Sequence, residues 1–213
     1  MKKEMKVMTT HKEDKTMTDM KARPDTLRGM PSLSMIGLLV VQMIMGYEWV
    51  LSGIAKFVQG DFPSSLGDEL AAVSAEAAGW YAGFLNSIVI PNATAFGYLI
   101  ETAEVLAGAA LIVGPLIWIF AWDRTPDGLR TTVLFLMIAA AVGAIFMAIN
   151  FHIANGGNHA WVLPDSGFDE GVDIDLLLVA IQSVITVVQI IVLNRLRQER
   201  TAAIAIPATA QAR

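Results

Sequence analysis

The sequence predicts an all-α integral membrane protein: a four-helix bundle with an additional interfacial or re-entrant helix in the first outer loop. Three observations predict it. The chain holds four mostly apolar stretches, each long enough for the roughly 20 residues that a bilayer-crossing helix needs. Basic and acidic residues alternate between the segments that flank those stretches. Small residues recur inside the second and third stretches, as close helix packing in lipid requires. Of the 213 residues 54% are hydrophobic, and the mean hydropathy of +0.54 is too apolar for a soluble domain of this size.

Residues 1–30 mix Lys2, Lys3, Lys6, Lys12, Lys15, Lys21, Arg23 and Arg28 with acids, Thr and Met, and hold no apolar run. They read as a disordered tail. The first apolar stretch, 35–57, is long, ends near Lys56 and lacks a small-residue cleavage site, so it reads as an uncleaved anchor. The second, third and fourth stretches cover about 93–122, 131–153 and 174–193. Domain organisation follows: a tail at 1–30, a transmembrane domain at 31–198 and a second disordered tail at 199–213.

Between the first two spans, 66–90 carries Trp80, Tyr81 and Phe84 with Ala-rich spacing and closes at Pro91. That pattern predicts the extra helix, lying where aromatic rings favour the membrane–water boundary. The segment 154–171, with Gly156, Gly157, Trp161 and Pro164, reads as an irregular loop. In the second span Ala103, Ala107, Gly108, Ala110 and Gly114 are the candidate packing residues, and in the third Ala139, Ala140, Gly143, Ala144 and Ala148. Pro115 would at most kink the second span.

Positive-inside counting gives the orientation. The Lys-rich N-terminal tail, the connection bearing Arg124 and Arg130, and the tail bearing Arg195, Arg197 and Arg200 share one side. The other two loops hold Asp61, Asp68, Glu69 and Glu76, then Asp165, Asp169, Glu170, Asp173 and Asp175. The expected arrangement is a multi-pass protein of the plasma membrane with both termini cytoplasmic.

Composition also excludes chemistry. With no Cys there is no disulfide, dithiol pair, iron–sulfur cluster or thiolate zinc site. A net charge of -5 gives no nucleic-acid signal. No nucleotide-binding glycine fingerprint appears, and no two His fall at matching depth on facing helices, so neither flavin nor haem is expected. His152 and His159 with loop acids lack a metal-specific spacing, and no metal site is assigned.

Ionisable groups inside spans are costly, by about 2.5–3.5 kcal/mol on insertion scales, and face a cavity or a partner. Glu48, Ser52 and Lys56 recur every four residues along one helix face. Glu101 and Glu104, three apart, share a face of the second span, and Asn150 followed by His152 closes the third. Gln182 lies eight residues into the fourth. Helix rise places Glu48, Glu101, Glu104 and Gln182 roughly 10–15 Å below the outer surface. Such a group can relay a proton or donate a hydrogen bond to a carbonyl, as a quinone head group would need, with Tyr47, Trp49, Phe96 and Tyr98 near enough to pack a flat ring. It can equally be a set of interhelical hydrogen bonds tying the bundle together, with Lys56 snorkelling to the interface and Asn150 capping a helix end.

The stretch GYEWVLSGIAKFVQGDFPSSL resembles the first-helix signature of the DoxX/DoxD superfamily, with Gly53, Lys56 and Phe57 at its outer end. WYAGFLNSIVIPNATAFGYLIETAEVLAGAALIVG resembles the second-helix region, where Glu104, Gly108, Leu111 and Gly114 fit, and the segment around Asn150 resembles the third helix. Glu48 and Glu101 have no counterpart in the pattern, and Arg28 lies before the first span rather than opening it. The resemblance implies a small four-helix membrane subunit of a quinone-linked redox system, as in the DoxD-like subunit of thiosulfate:quinone oxidoreductase, with a second subunit or larger membrane complex as partner. In that reading Lys56 attracts a small sulfur anion, and Glu104 and Glu101 handle the protons of a quinone that is substrate or bound ligand. Glu48, Tyr47, Asn150, Gln182 and His152 line its site. The alternative is a non-catalytic scaffold or assembly subunit. A transporter is the weaker third option, because no inverted repeat and no mid-span break is visible.

Overall fold

A computed structural model describes residues 31–75, 77, 79–154 and 174–210. The tail 1–30, the loop after the third span, its His159 and most of its acids, Glu76 and residues 211–213 lie outside the described residues. Among those described, every regular element is helical: α1 (Leu33–Gln59), α2 (Phe62–Val73), α3 (Gly79–Phe84), α4 (Ala93–Phe120), α5 (Asp127–Ala154) and α6 (Ile174–Ala210). Four helical stretches are long and apolar enough to cross a membrane: Leu33–Gln59, Gly79–Phe120, Asp127–Ala154 and Ile174–Thr201. This is a multi-pass membrane protein whose helices suit a lipid bilayer.

Local sequence sets several helix ends. The Ser32 hydroxyl accepts the Met35 amide at 3.3 Å and opens α1. Gly60, at φ 75°, closes it by donating its amide to the Lys56 carbonyl at 3.1 Å. Phe62 and Pro63 start α2, proline being suited to a first turn.

The sequence expected the second helix to begin at residue 93, with a break at Pro91. Instead α3 passes through a π-turn (Leu85–Val89) and a 3-10 turn (Ile90–Asn92) directly into α4. Pro91 sits at the start of that 3-10 turn, where its missing N–H costs little. The Asn92 side-chain amide donates to the Ile88 carbonyl at 2.9 Å across the irregular turns. Of the stretch 66–90 expected to form one extra helix, the first part lies in α2, whereas α3 belongs to the membrane-length stretch Gly79–Phe120. At the other end, α6 continues past residue 198, where the sequence placed the end of the transmembrane domain.

The helices form two antiparallel pairs. α1 packs along α4 and α5 along α6, the pairs are joined through α4–α5, and α1 touches α6 only lightly. Gly46 and Gly108 make the α1–α4 approach possible. A β-carbon on Gly46 would stand 2.8 Å from the Gly108 carbonyl oxygen, and one on Gly108 would meet the Val50 amide nitrogen at 2.6 Å. Of the small residues expected to pack, Ala107, Gly108, Gly114, Ala144 and Ala148 are buried, whereas Ala139 is exposed and Gly143 has open space beside it.

The core has three levels. At the middle, Met45, Trp49, Leu111, Ala141, Ala144, Ala148, Leu178 and Val179 pack together. Toward the Arg130 end lie Leu39, Trp118, Val133, Leu134, Met137 and Leu193. There the Trp118 and Trp122 rings stack at 4.7 Å, and Arg130 sits 5.4 Å from the Trp122 ring while its Nε donates to the Trp122 carbonyl at 3.0 Å. Toward the Lys56 end, Tyr81, Leu85, Val89 and Ala154 seat α3 and the irregular turns on α5.

Candidate functional site

The site begins with the face of α1 that bears Ser52 and Lys56. Four-residue spacing stacks them, and the Lys56 ammonium donates to the Ser52 hydroxyl at 2.8 Å. From α4, Glu104 meets the same ammonium with both oxygens, Oε1 at 2.9 Å and Oε2 at 2.7 Å. The Glu104 side chain is wholly buried, and Lys56 keeps 19% of its side-chain surface exposed. The opening of α2 covers the pair, with the Phe62 ring centroid 5.2 Å from the Lys56 nitrogen. One turn earlier on α4, Glu101 is also buried, at 2% exposure. Its carbonyl lies against Gly53, where a β-carbon would stand 2.9 Å from it. Gly53, part of the motif behind the family resemblance, therefore has a packing reason to be glycine.

Chemically, this is an ammonium held between a hydroxyl and a carboxylate, with the carboxylate buried and the ammonium partly exposed. Removing either charge leaves the other uncompensated, which is why such pairs resist change. A ligand that supplies a negative charge can compete for the lysine, and Glu104, once released, can hold or pass on a proton. The partial exposure of Lys56 gives such a ligand a way in.

The other residues singled out from sequence divide. Glu48 stands on the exposed flank of α1, and its carboxylate feels the charges of Glu104, Asp175 and Lys56. It borders the cluster from the exposed side of α1. Tyr47 and Tyr98 are 59% and 60% exposed and point away from the bundle. Trp49 is buried, its ring 6.4 Å from that of Phe151. Asn150 belongs to a separate contact. Its Oδ1 accepts from the Tyr81 hydroxyl at 3.0 Å and its Nδ2 donates to the Phe146 carbonyl at 2.7 Å, so it ties α3 to α5. His152 is half-buried on the last turn of α5. Gln182 is fully buried in the interior.

Sequence reasoning missed one polar contact. The Gln189 amide donates to Gln42 Oε1 at 2.6 Å, linking α6 to α1 with both side chains buried. Gln182, Thr186 and Gln189 recur at intervals of four and three residues, a signal that was present in the pattern of the fourth span. Comparison of the chain with protein-family models, with curated proteins and with solved structures finds no match.

Proposed function

We propose that this chain is the membrane subunit of a quinone-linked redox system of the DoxX/DoxD type, acting on thiosulfate or another small sulfur anion at the outer face. The observation that carries the reading is the buried Lys56–Glu104 pair, held by both carboxylate oxygens and by Ser52, and open to solvent only through Lys56. An ammonium in that setting attracts a small anion. A carboxylate freed from it can serve a quinone's protons, with Glu101 one turn away as a second proton carrier. Glu48, exposed on the flank between α1 and α6, is placed to meet a head group arriving through the bilayer. The apolar residue-rich outer faces of α1 and α4 suit docking of a second subunit or larger complex.

The orientation follows from the same reading: the Lys56 end faces outward and both termini face the cytoplasm, in the plasma membrane, with α2 and α3 forming the interfacial cap. The chain has no cysteine, so single cysteines placed at Asp68 and at Gln198 are labelled without background. Impermeant maleimide applied to intact cells is expected to modify the first and spare the second.

A second reading, a non-catalytic scaffold, is favoured by one observation. Glu104 spends both oxygens on Lys56, as a purely structural tie would. One experiment separates the two. The assembled complex is supplied with thiosulfate and a soluble quinone analogue, and reduction is followed optically. Loss of about 10²-fold or more in Glu104→Gln, with the complex intact, supports the redox site. Unchanged turnover in a folded Glu104→Gln complex supports the scaffold.

A further inference from the structure

The register of α1 against α6 places buried polar groups at matching levels. The two helices run antiparallel, and Gln42 meets Gln189 directly. Seven residues along α1 from Gln42 stands Trp49, and seven residues back along α6 from Gln189 stands Gln182. Seven residues is two helical turns, so Trp49 and Gln182 share a level about 10 Å closer to the Lys56 end. Thr186 lies between the two rungs on the same face of α6, its hydroxyl turned to the Gln182 carbonyl at 2.7 Å.

These groups are not satisfied by one another. Trp49 Nε1, both amide atoms of Gln182, Gln42 Nε2 and Gln189 Oε1 are buried and find no hydrogen-bond partner among the described residues. Gln42 and Gln182 have no exposed surface at all, and Gln189 has 2%. In lipid no bulk water reaches such atoms, and an unmade hydrogen bond at this depth costs its full desolvation penalty. Native proteins answer such clusters with ordered internal water, each molecule bridging two to four polar groups. On α5 the residues packed with Trp49 are Ala141, Ala144 and Ala148, whose side chains are single methyl groups.

We propose that the bundle interior holds a file of bound water between α1, α5 and α6, bridging Trp49 Nε1 and the Gln182 amide at one level and the Gln42–Gln189 pair at the next. The file continues the polar track that begins at Lys56 and Ser52. Gln42 lies fourteen residues from Lys56, so the track reaches about 20 Å into the bundle. The amides and indole carry no charge, so water bound there can hand protons along without a fixed ion in the core. The inference stands independently of any quinone.

Hydroxyl-radical footprinting by X-ray radiolysis tests it in the full-length protein in nanodiscs, with water itself as the probe. Radicals made from internal water oxidise the side chain beside it even where bulk solvent has no access. Trp49 and Met45 are expected to be oxidised in a dose-dependent way alongside exposed Trp80. Gln182→Leu, which removes the bridging amide, is expected to lower the Trp49 rate several-fold while leaving Trp80 unchanged. Trp49 remaining unmodified in the wild type at doses that oxidise Trp80 overturns the proposal, and this arm needs no variant to fold. An unchanged Trp49 rate in folded Gln182→Leu also overturns it.

Discussion

Two polar contacts hold α1 in place, and they are built differently. Near one end of the bundle, Lys56 binds Glu104 of α4 as a full ion pair with a hydroxyl in support. Deeper, Gln42 binds Gln189 of α6 through one neutral amide hydrogen bond. The difference follows position. Lys56 keeps part of its side chain exposed, so the charge is not fully desolvated. At the deeper contact both glutamines are buried, and a charge there would cost more than a single contact returns. Charge is used where water remains in reach, and dipoles where it does not.

The largest effect expected is at the charged contact. Glu104→Ala strands the Lys56 ammonium, and about 3–5 kcal/mol of stability is expected to go, read by denaturant titration in lipid–detergent micelles. Adding Lys56→Met to that variant is expected to recover most of the loss. If the double variant is no better than the single, the two residues do not act as a pair and the comparison breaks. Gly108→Val tests the backbone contact beneath both. Its extra atoms would meet Val50 and the Gly46 carbonyl, and a loss of about 1–3 kcal/mol is expected in the same titration.

The neutral contact is expected to be weaker. A double-mutant cycle on Gln42→Leu and Gln189→Leu is expected to return a coupling of about 0.6 kcal/mol, and at most about 1.7, the range seen for hydrogen bonds between membrane helices. A coupling as large as that of Lys56 and Glu104 would show that depth does not discount dipoles as argued. An effect of similar size is expected at Tyr81→Phe, which removes only the hydroxyl bonded to Asn150. About 0.5–1.5 kcal/mol is expected, with no change in the Lys56–Glu104 coupling because that contact is separate.

Much of the fold was legible because the governing signals are local. Four apolar runs marked four membrane-length helices, the first and third to within a few residues at both ends, although α6 runs on well past residue 193 to Ala210. The start of the second span was not legible. Pro91 reads as a stop, yet the π-turn and 3-10 turn around it keep the chain helical, because Tyr81, Leu85 and Val89 pack on α5 and hold the segment in line. At the site, the i,i+4 step from Ser52 to Lys56 and the burial of Glu104 were both readable. The partner choice was not. Asn150, equally polar and near the same end, bonds Tyr81 instead, and Tyr47 turns outward although Glu48 beside it borders the cluster.

Read without its fold, the chain already specifies apolar helices of membrane length, several of their ends, and a few costly polar groups inside them. Those properties depend on residues a turn or two apart. Only the assembled bundle brings Lys56 to Glu104 and Gln42 to Gln189. Such pairings depend on the register of one helix against another, and register is set by backbone contacts at positions such as Gly46 and Gly108, where two distant parts of the chain must fit at once.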